Sequence, residues 1–98
     1  MLNKSYSKTG RVCRVTFDCH PEGNVEEVSL VGEFNDWNPA AHPMKQRKDG
    51  RFSATVSLVA GRSYRFRYLV DGRKWENDMN ADAYVPNNFG SDDSLVSL

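Results

Sequence analysis

Short runs of alternating apolar and polar residues succeed one another along most of the chain. "RVCRVTFDC" puts Cys13, Val15 and Phe17 on one side of an extended segment and Arg14, Thr16 and Asp18 on the other. "VSLVGEF" does the same with Val28, Leu30, Gly32 and Phe34. "GRFSATVSLV" groups Phe52, Ala54, Val56 and Leu58, and "SYRFRYLV" groups Tyr64, Phe66, Tyr68 and Val70. The ending "DDSLVSL" reads as a closing strand. Asp-Gly pairs at Asp49-Gly50 and Asp71-Gly72, with Ala60-Gly61, mark reversals between these runs. No 11-residue window keeps a helical period. The pattern predicts an all-β chain, an immunoglobulin-like β-sandwich of six to eight short antiparallel strands, with a small closed barrel as the alternative.

Trp37 and Trp75 fall outside this pattern, in "FNDWNP" and "DGRKWEND". Each stands in or beside a turn among polar residues. A tryptophan there either folds back as a lid over the core or presents a broad apolar face with an indole N–H donor. The second arrangement complements the C–H face of a pyranose ring, with neighbouring Asn, Asp and Arg to meet the hydroxyls. "GRSYRFRYLVDGRKW" also interleaves aromatics with arginines, as a nucleic-acid platform would. Strand parity separates Tyr64, Phe66 and Tyr68 from Arg65 and Arg67, so rings and guanidiniums do not share a surface.

Ninety-eight residues with 39% apolar and 27% charged content describe one domain with a modest core. Thirteen basic residues balance thirteen acidic ones, so no excess charge favours nucleic acid or an anionic membrane, and a neutral partner is expected. Residues 1–9 are polar and are expected to be a flexible tail or an added edge segment, with the domain proper at 10–98. No apolar run suits a signal peptide or a membrane span, and a cytoplasmic location is expected. Cys13 and Cys19 lie six residues apart on an extended segment, about 20 Å at ~3.3 Å per residue, too far for a disulfide, and both are expected to be reduced. His20 and His42 lack metal-ligand spacing, "KQRKDGR" reads as a solvated turn, and no carboxylate pair, nucleophile motif or phosphate loop stands out. No catalytic residue, metal or cofactor is expected.

At "VGEFNDWNP", "YRFRYLVDGRKWEND" and "AYVPNNFGSDDSLVSL", in that order, the sequence resembles the family 48 carbohydrate-binding modules. These include the glycogen-binding domain of AMP-activated protein kinase β subunits and the N-terminal early-set domains of isoamylases and glycogen branching enzymes. The resemblance covers about residues 10–98 and implies a stand-alone, bacterial-type, noncatalytic module for α-1,4-linked glucans such as glycogen, starch and maltooligosaccharides. By position it implies Trp37 and Trp75 as sugar-stacking rings, Arg67 as the group that hydrogen-bonds hydroxyls, Phe89 as the loop residue that abuts or threads the glucan, and Ser91 beside it. Asp93 stands where kinase-type members have an asparagine, and a carboxylate accepts hydrogen bonds where an amide also donates. Trp75 comes one residue later after "VDG" than in those members. These departures give the alternative expectation, a protein-interaction module with a decayed glucan site that contacts a separately encoded glycogen-metabolising enzyme or kinase.

Overall fold

A computed structural model describes residues 2–98. Nine strands are present among them: β1 (Asn3–Tyr6), β2 (Val12–Cys19), β3 (Val28–Gly32), β4 (Lys45–Gln46), β5 (Phe52–Val59), β6 (Ser63–Val70), β7 (Lys74–Glu76), β8 (Ala83–Pro86) and β9 (Asp92–Ser97). All pairings are antiparallel. One sheet has the order β1-β2-β5-β4; the other runs β3-β6-β9-β8, with β7 also on β6. The expected sandwich is the observed one, and its strands exceed the expected number because two-to-four-residue segments such as β1, β4 and β7 are too short to show a period.

The alternation works as expected. Cys13, Val15 and Phe17 of β2 face Tyr64, Phe66 and Tyr68 of β6, and all are buried. Phe17 meets Phe66 edge-on at 4.9 Å between centroids, and Phe66 meets Tyr68 in the same way at 5.7 Å. Burying one such ring is worth about 1.5–3 kcal/mol. Both cysteines are free and buried, on this inner face. Burial, with the nearby charges of Glu76 and Asp78, pushes the Cys19 thiol up to about 12.

The amino-terminal segment differs from a flexible tail. Asn3–Tyr6 pair with Cys13–Thr16, and Leu2 enters the core. Lys4 Nζ donates to Asp82 at 2.7 Å and to the Ser97 carbonyl at 2.9 Å. A polar strand with one anchoring leucine and one bridging lysine carries no sequence periodicity, so only the edge-segment alternative anticipated it.

On β6, the β9 ladder ends at Phe66–Ser94 and the β7 ladder begins at Tyr68–Glu76. β9 and β7 therefore share one side of β6, and the break between them falls at Arg67. Asn77 and Asp78 close the break: Ser94 Oγ donates to Asn77 Oδ1 and accepts from the Asp78 N–H, while Asn77 Nδ2 donates to the Asp92 carbonyl. Asp78 is buried and fully engaged, accepting from the Tyr68 hydroxyl at 2.6 Å and from the Asn80 N–H at 2.7 Å. Burial and the Asp78 carboxylate both raise the Tyr68 phenol, so it stays a donor.

Candidate functional site

The outer face of the second sheet is set by register. Opposed residues share a face, so Val31 lies beside Arg67, and Trp75 beside Leu69. Val31 and Leu69 are buried although they point away from the core. The sheet is thus apolar on both faces at this end, where alternation alone had identified one apolar face.

Trp37 reaches this face through a tightly specified turn. Glu33–Asn35 form a 3₁₀ turn after β3, followed by Asp36 at φ 55° and Trp37 at φ 56°, both left-handed. Two successive non-glycine residues in that region are costly, about 1–2 kcal/mol each. Hydrogen bonds hold them there. The Trp37 N–H donates to the Gly32 carbonyl at 2.9 Å, and Asn35 works as a clamp. Its Oδ1 accepts from the Gly32 N–H at 3.0 Å, and its Nδ2 donates to the Leu30 carbonyl at 3.0 Å and to His42 Nδ1 at 2.9 Å. Gly32 is required for a different reason. A Cβ there would lie 2.6 Å from the Arg65 carbonyl oxygen and 2.9 Å from Phe66 Cβ.

Trp75 sits on a strand, β7, rather than in a loop. The turn that returns the chain to β6 uses Asp71 and Gly72, both at positive φ. Asp71 Oδ1 also accepts from the Glu26 and Glu27 N–H groups, fixing that turn to the segment before β3. The Arg67 guanidinium lies 6.0 Å from the Trp75 ring, close enough for cation–π attraction.

Trp37, Arg67, Trp75, Phe89 and Asp93 line one open cavity of about 520 Å³, together with Asn87. Five of the six residues singled out in the sequence thus converge from five segments, the turn after β3, β6, β7, the β8–β9 loop and β9. The sixth, Ser91, does not line the cavity but accepts a long hydrogen bond from Arg67 at 3.5 Å. The rings are accessible, with Trp37 37% exposed, Trp75 45% and Phe89 93%. No carboxylate pairs with Arg67 among the described residues, and its Nε is buried without a hydrogen-bond partner. A guanidinium with unused donors between exposed rings suits a ligand with apolar faces and oxygen acceptors.

Asn87 carried no sequence signal. It organises the Phe89 loop between β8 and β9: its Oδ1 accepts from the Phe89 N–H at 2.9 Å, and its Nδ2 donates to Ser91 Oγ at 3.0 Å and Asp93 Oδ1 at 3.1 Å. The neighbouring Asn88 offers the same side chain, and only the folded loop distinguishes the two.

The chain belongs to the family described as the glycogen recognition site of AMP-activated protein kinase, whose model matches residues 15–96. Among curated proteins it is similar to a rice 1,4-alpha-glucan-branching enzyme of the chloroplast or amyloplast, 37% identical over 57 residues, covering 51% of this chain and 7% of that protein. It is also similar to a 1,4-alpha-glucan branching enzyme of Deinococcus radiodurans, 42% identical over 50 residues, covering 50% of this chain and 7% of that one. A third such enzyme, from Xanthomonas campestris, is 36% identical over 52 residues, with 51% and 7% covered. The chain therefore spans only a small part of these relatives. No helix is long and apolar enough to cross a membrane among the described residues.

Proposed function

We propose that this domain binds α-1,4-linked glucans without catalysis, through the outer face of its second sheet. Trp37 and Trp75 stack on pyranose faces, Arg67 donates to hydroxyl oxygens, and Phe89 abuts the chain at the cavity rim. What supports this most is the convergence of two exposed indoles and a guanidinium without an ion pair among the described residues on one cavity, in a chain of the glycogen-recognition family. The cytoplasm is the proposed location, in keeping with two free, buried thiols.

Each indole buries at most about 150–250 Å², or ~4–6 kcal/mol gross at about 25 cal/mol/Å². Lost translational and rotational freedom cancels much of this. Affinity for short oligosaccharides then falls in the range of roughly micromolar to millimolar Kd. Polymers bind more strongly because one chain offers many sites.

Native gel electrophoresis with glycogen in the matrix tests the proposal. Wild type is retarded, and Trp37→Ala and Trp75→Ala, folded by circular dichroism, lose most of the retardation. A folded wild type that migrates identically with and without glycogen refutes it, and survival of a protein partner in pull-downs after amylase treatment would then support the protein-interaction alternative.

A further inference from the structure

Arg65 and Asp93 show how the Phe89 loop is held. Extending the β6–β9 ladder one step past Phe66–Ser94 puts Asp93 opposite Arg67, yet Asp93 Oδ2 lies 3.5 Å from Arg65 Nη1. The same Arg65 nitrogen donates to the Pro86 carbonyl at 3.2 Å. Pro86 ends β8 and Asp93 lies in β9, so one guanidinium ties both stems of the hairpin to β6. The other carboxylate oxygen, Asp93 Oδ1, accepts from Asn87 Nδ2, and both Asn87 amide hydrogens are then used, on Asp93 and Ser91. Asp93 is buried, whereas Phe89 at the loop tip is almost fully exposed.

We propose that Arg65 and Asp93 are positioning residues of the glucan site: through Asn87 they preset the Asn87–Ser91 loop and hold Phe89 at the cavity rim before any sugar arrives. The proposal rests on the glucan-binding reading above and deepens it. Arg65 does not line the cavity, and it acts on affinity only through the loop. Asp93 lines the cavity and is engaged on both oxygens by loop-holding groups, so its carboxylate acts on the loop whether or not it also meets a sugar hydroxyl. Presetting a loop improves affinity by removing the ordering cost of binding.

A carboxylate suits this position better than an amide. One oxygen faces the donor of Asn87 and the other faces a guanidinium, so an asparagine in either orientation turns an NH2 toward a donor. Asp93→Asn is therefore expected to weaken glucan binding, although it would supply the amide found in kinase-type members.

Amide hydrogen exchange across residues 87–91 and maltoheptaose titration decide the matter, on wild type, Arg65→Ala, Asp93→Asn, Phe89→Ala and the Arg65→Ala/Phe89→Ala double variant. Arg65→Ala and Asp93→Asn speed exchange at Phe89 and Ser91, and each weakens binding by about threefold to tenfold, the loss of one hydrogen-bonded contact. In the Phe89→Ala background, Arg65→Ala costs less than about twofold, because a residue acting through Phe89 has nothing left to position. Unchanged loop exchange in Arg65→Ala, full additivity with Phe89→Ala, or tighter binding by Asp93→Asn would each overturn the proposal. If wild type fails to bind maltoheptaose, the glucan reading fails, while the exchange measurements still decide whether Arg65 and Asp93 hold the loop.

Discussion

Replacing Asn35 with alanine removes the clamp on the Trp37 turn at a definable cost. Three hydrogen bonds disappear together, from the Gly32 N–H, to the Leu30 carbonyl and to His42 Nδ1. Each such bond contributes about 0.5–1.5 kcal/mol net, and the half-buried setting lets water partly replace the lost partners, giving a loss of about 2–3 kcal/mol. In a domain of this size each kcal/mol lowers Tm by about 4–8 °C, so the midpoint should fall by roughly 10–20 °C. Urea unfolding provides the assay, and the midpoint should drop with the denaturant slope unchanged. Asn35→Asp is the matched control. It keeps an oxygen for the Gly32 N–H but presents another to the Leu30 carbonyl, and should destabilise comparably. Both variants should also weaken glucan binding, since Asp36 and Trp37 would leave the left-handed region once the clamp is gone. If either variant unfolds within about 0.5 kcal/mol of wild type, the proposed role of the clamp is refuted.

Further outcomes follow from the same structure. Gly32→Ala should destabilise by about 1–3 kcal/mol through overpacking against the Arg65 carbonyl, measurable by the same urea titration; φ at Gly32 is extended, so the cause is contact rather than backbone strain. Burial acts to raise the Asp82 carboxyl, but the Lys4 hydrogen bond, the Ser97 N–H and the Lys4 charge overcome this and hold it below its usual range. A depressed carboxylate stabilises the fold above its unfolded value of about 3.9 and loses that contribution as pH falls through the lower folded value, so the stability gap between wild type and Asp82→Asn should be flat near neutrality and shrink below about pH 4. Native Cys19 should resist iodoacetamide at about pH 8, reacting only after unfolding, because the thiolate is the reactive form and its thiol is raised to about 12.

Different physical signals made different parts of this molecule legible. Val15, Phe17, Leu30, Phe66 and Tyr68 were readable as core because a half-buried sheet imposes a period of two, and the Asp-Gly pairs marked hairpins because those residues tolerate positive φ. Trp37 and Trp75 stood out as aromatics outside that period, and the resemblance placed them with Arg67, Phe89 and Asp93, which line one cavity. Burial of Val31 and Leu69 on the outer face was not legible, because alternation identifies one apolar face and cannot show that the other is also covered. Arg65 read only as a guanidinium on the strand face opposite the aromatic rings, and His42 as a histidine without metal spacing. Their roles depend on Asp93, Pro86 and Asn35, partners brought near by folding, and a distance across a sheet leaves no local pattern. The amino-terminal strand was hidden for the same reason. Its anchor is Leu2, and its ion pair joins Lys4 to Asp82 from the far end of the chain.

The chain has two tryptophans, so its indole N–H region in a nitrogen–proton correlation spectrum holds two signals, one from each proposed wall of the site. Titrating the labelled protein with maltoheptaose tests the central claim most directly. The account predicts that both indole signals shift together along one saturable curve, with a Kd of roughly micromolar to millimolar. Two indole signals that stay in place up to millimolar maltoheptaose, in a protein whose remaining spectrum is that of a folded β-sandwich, would contradict it.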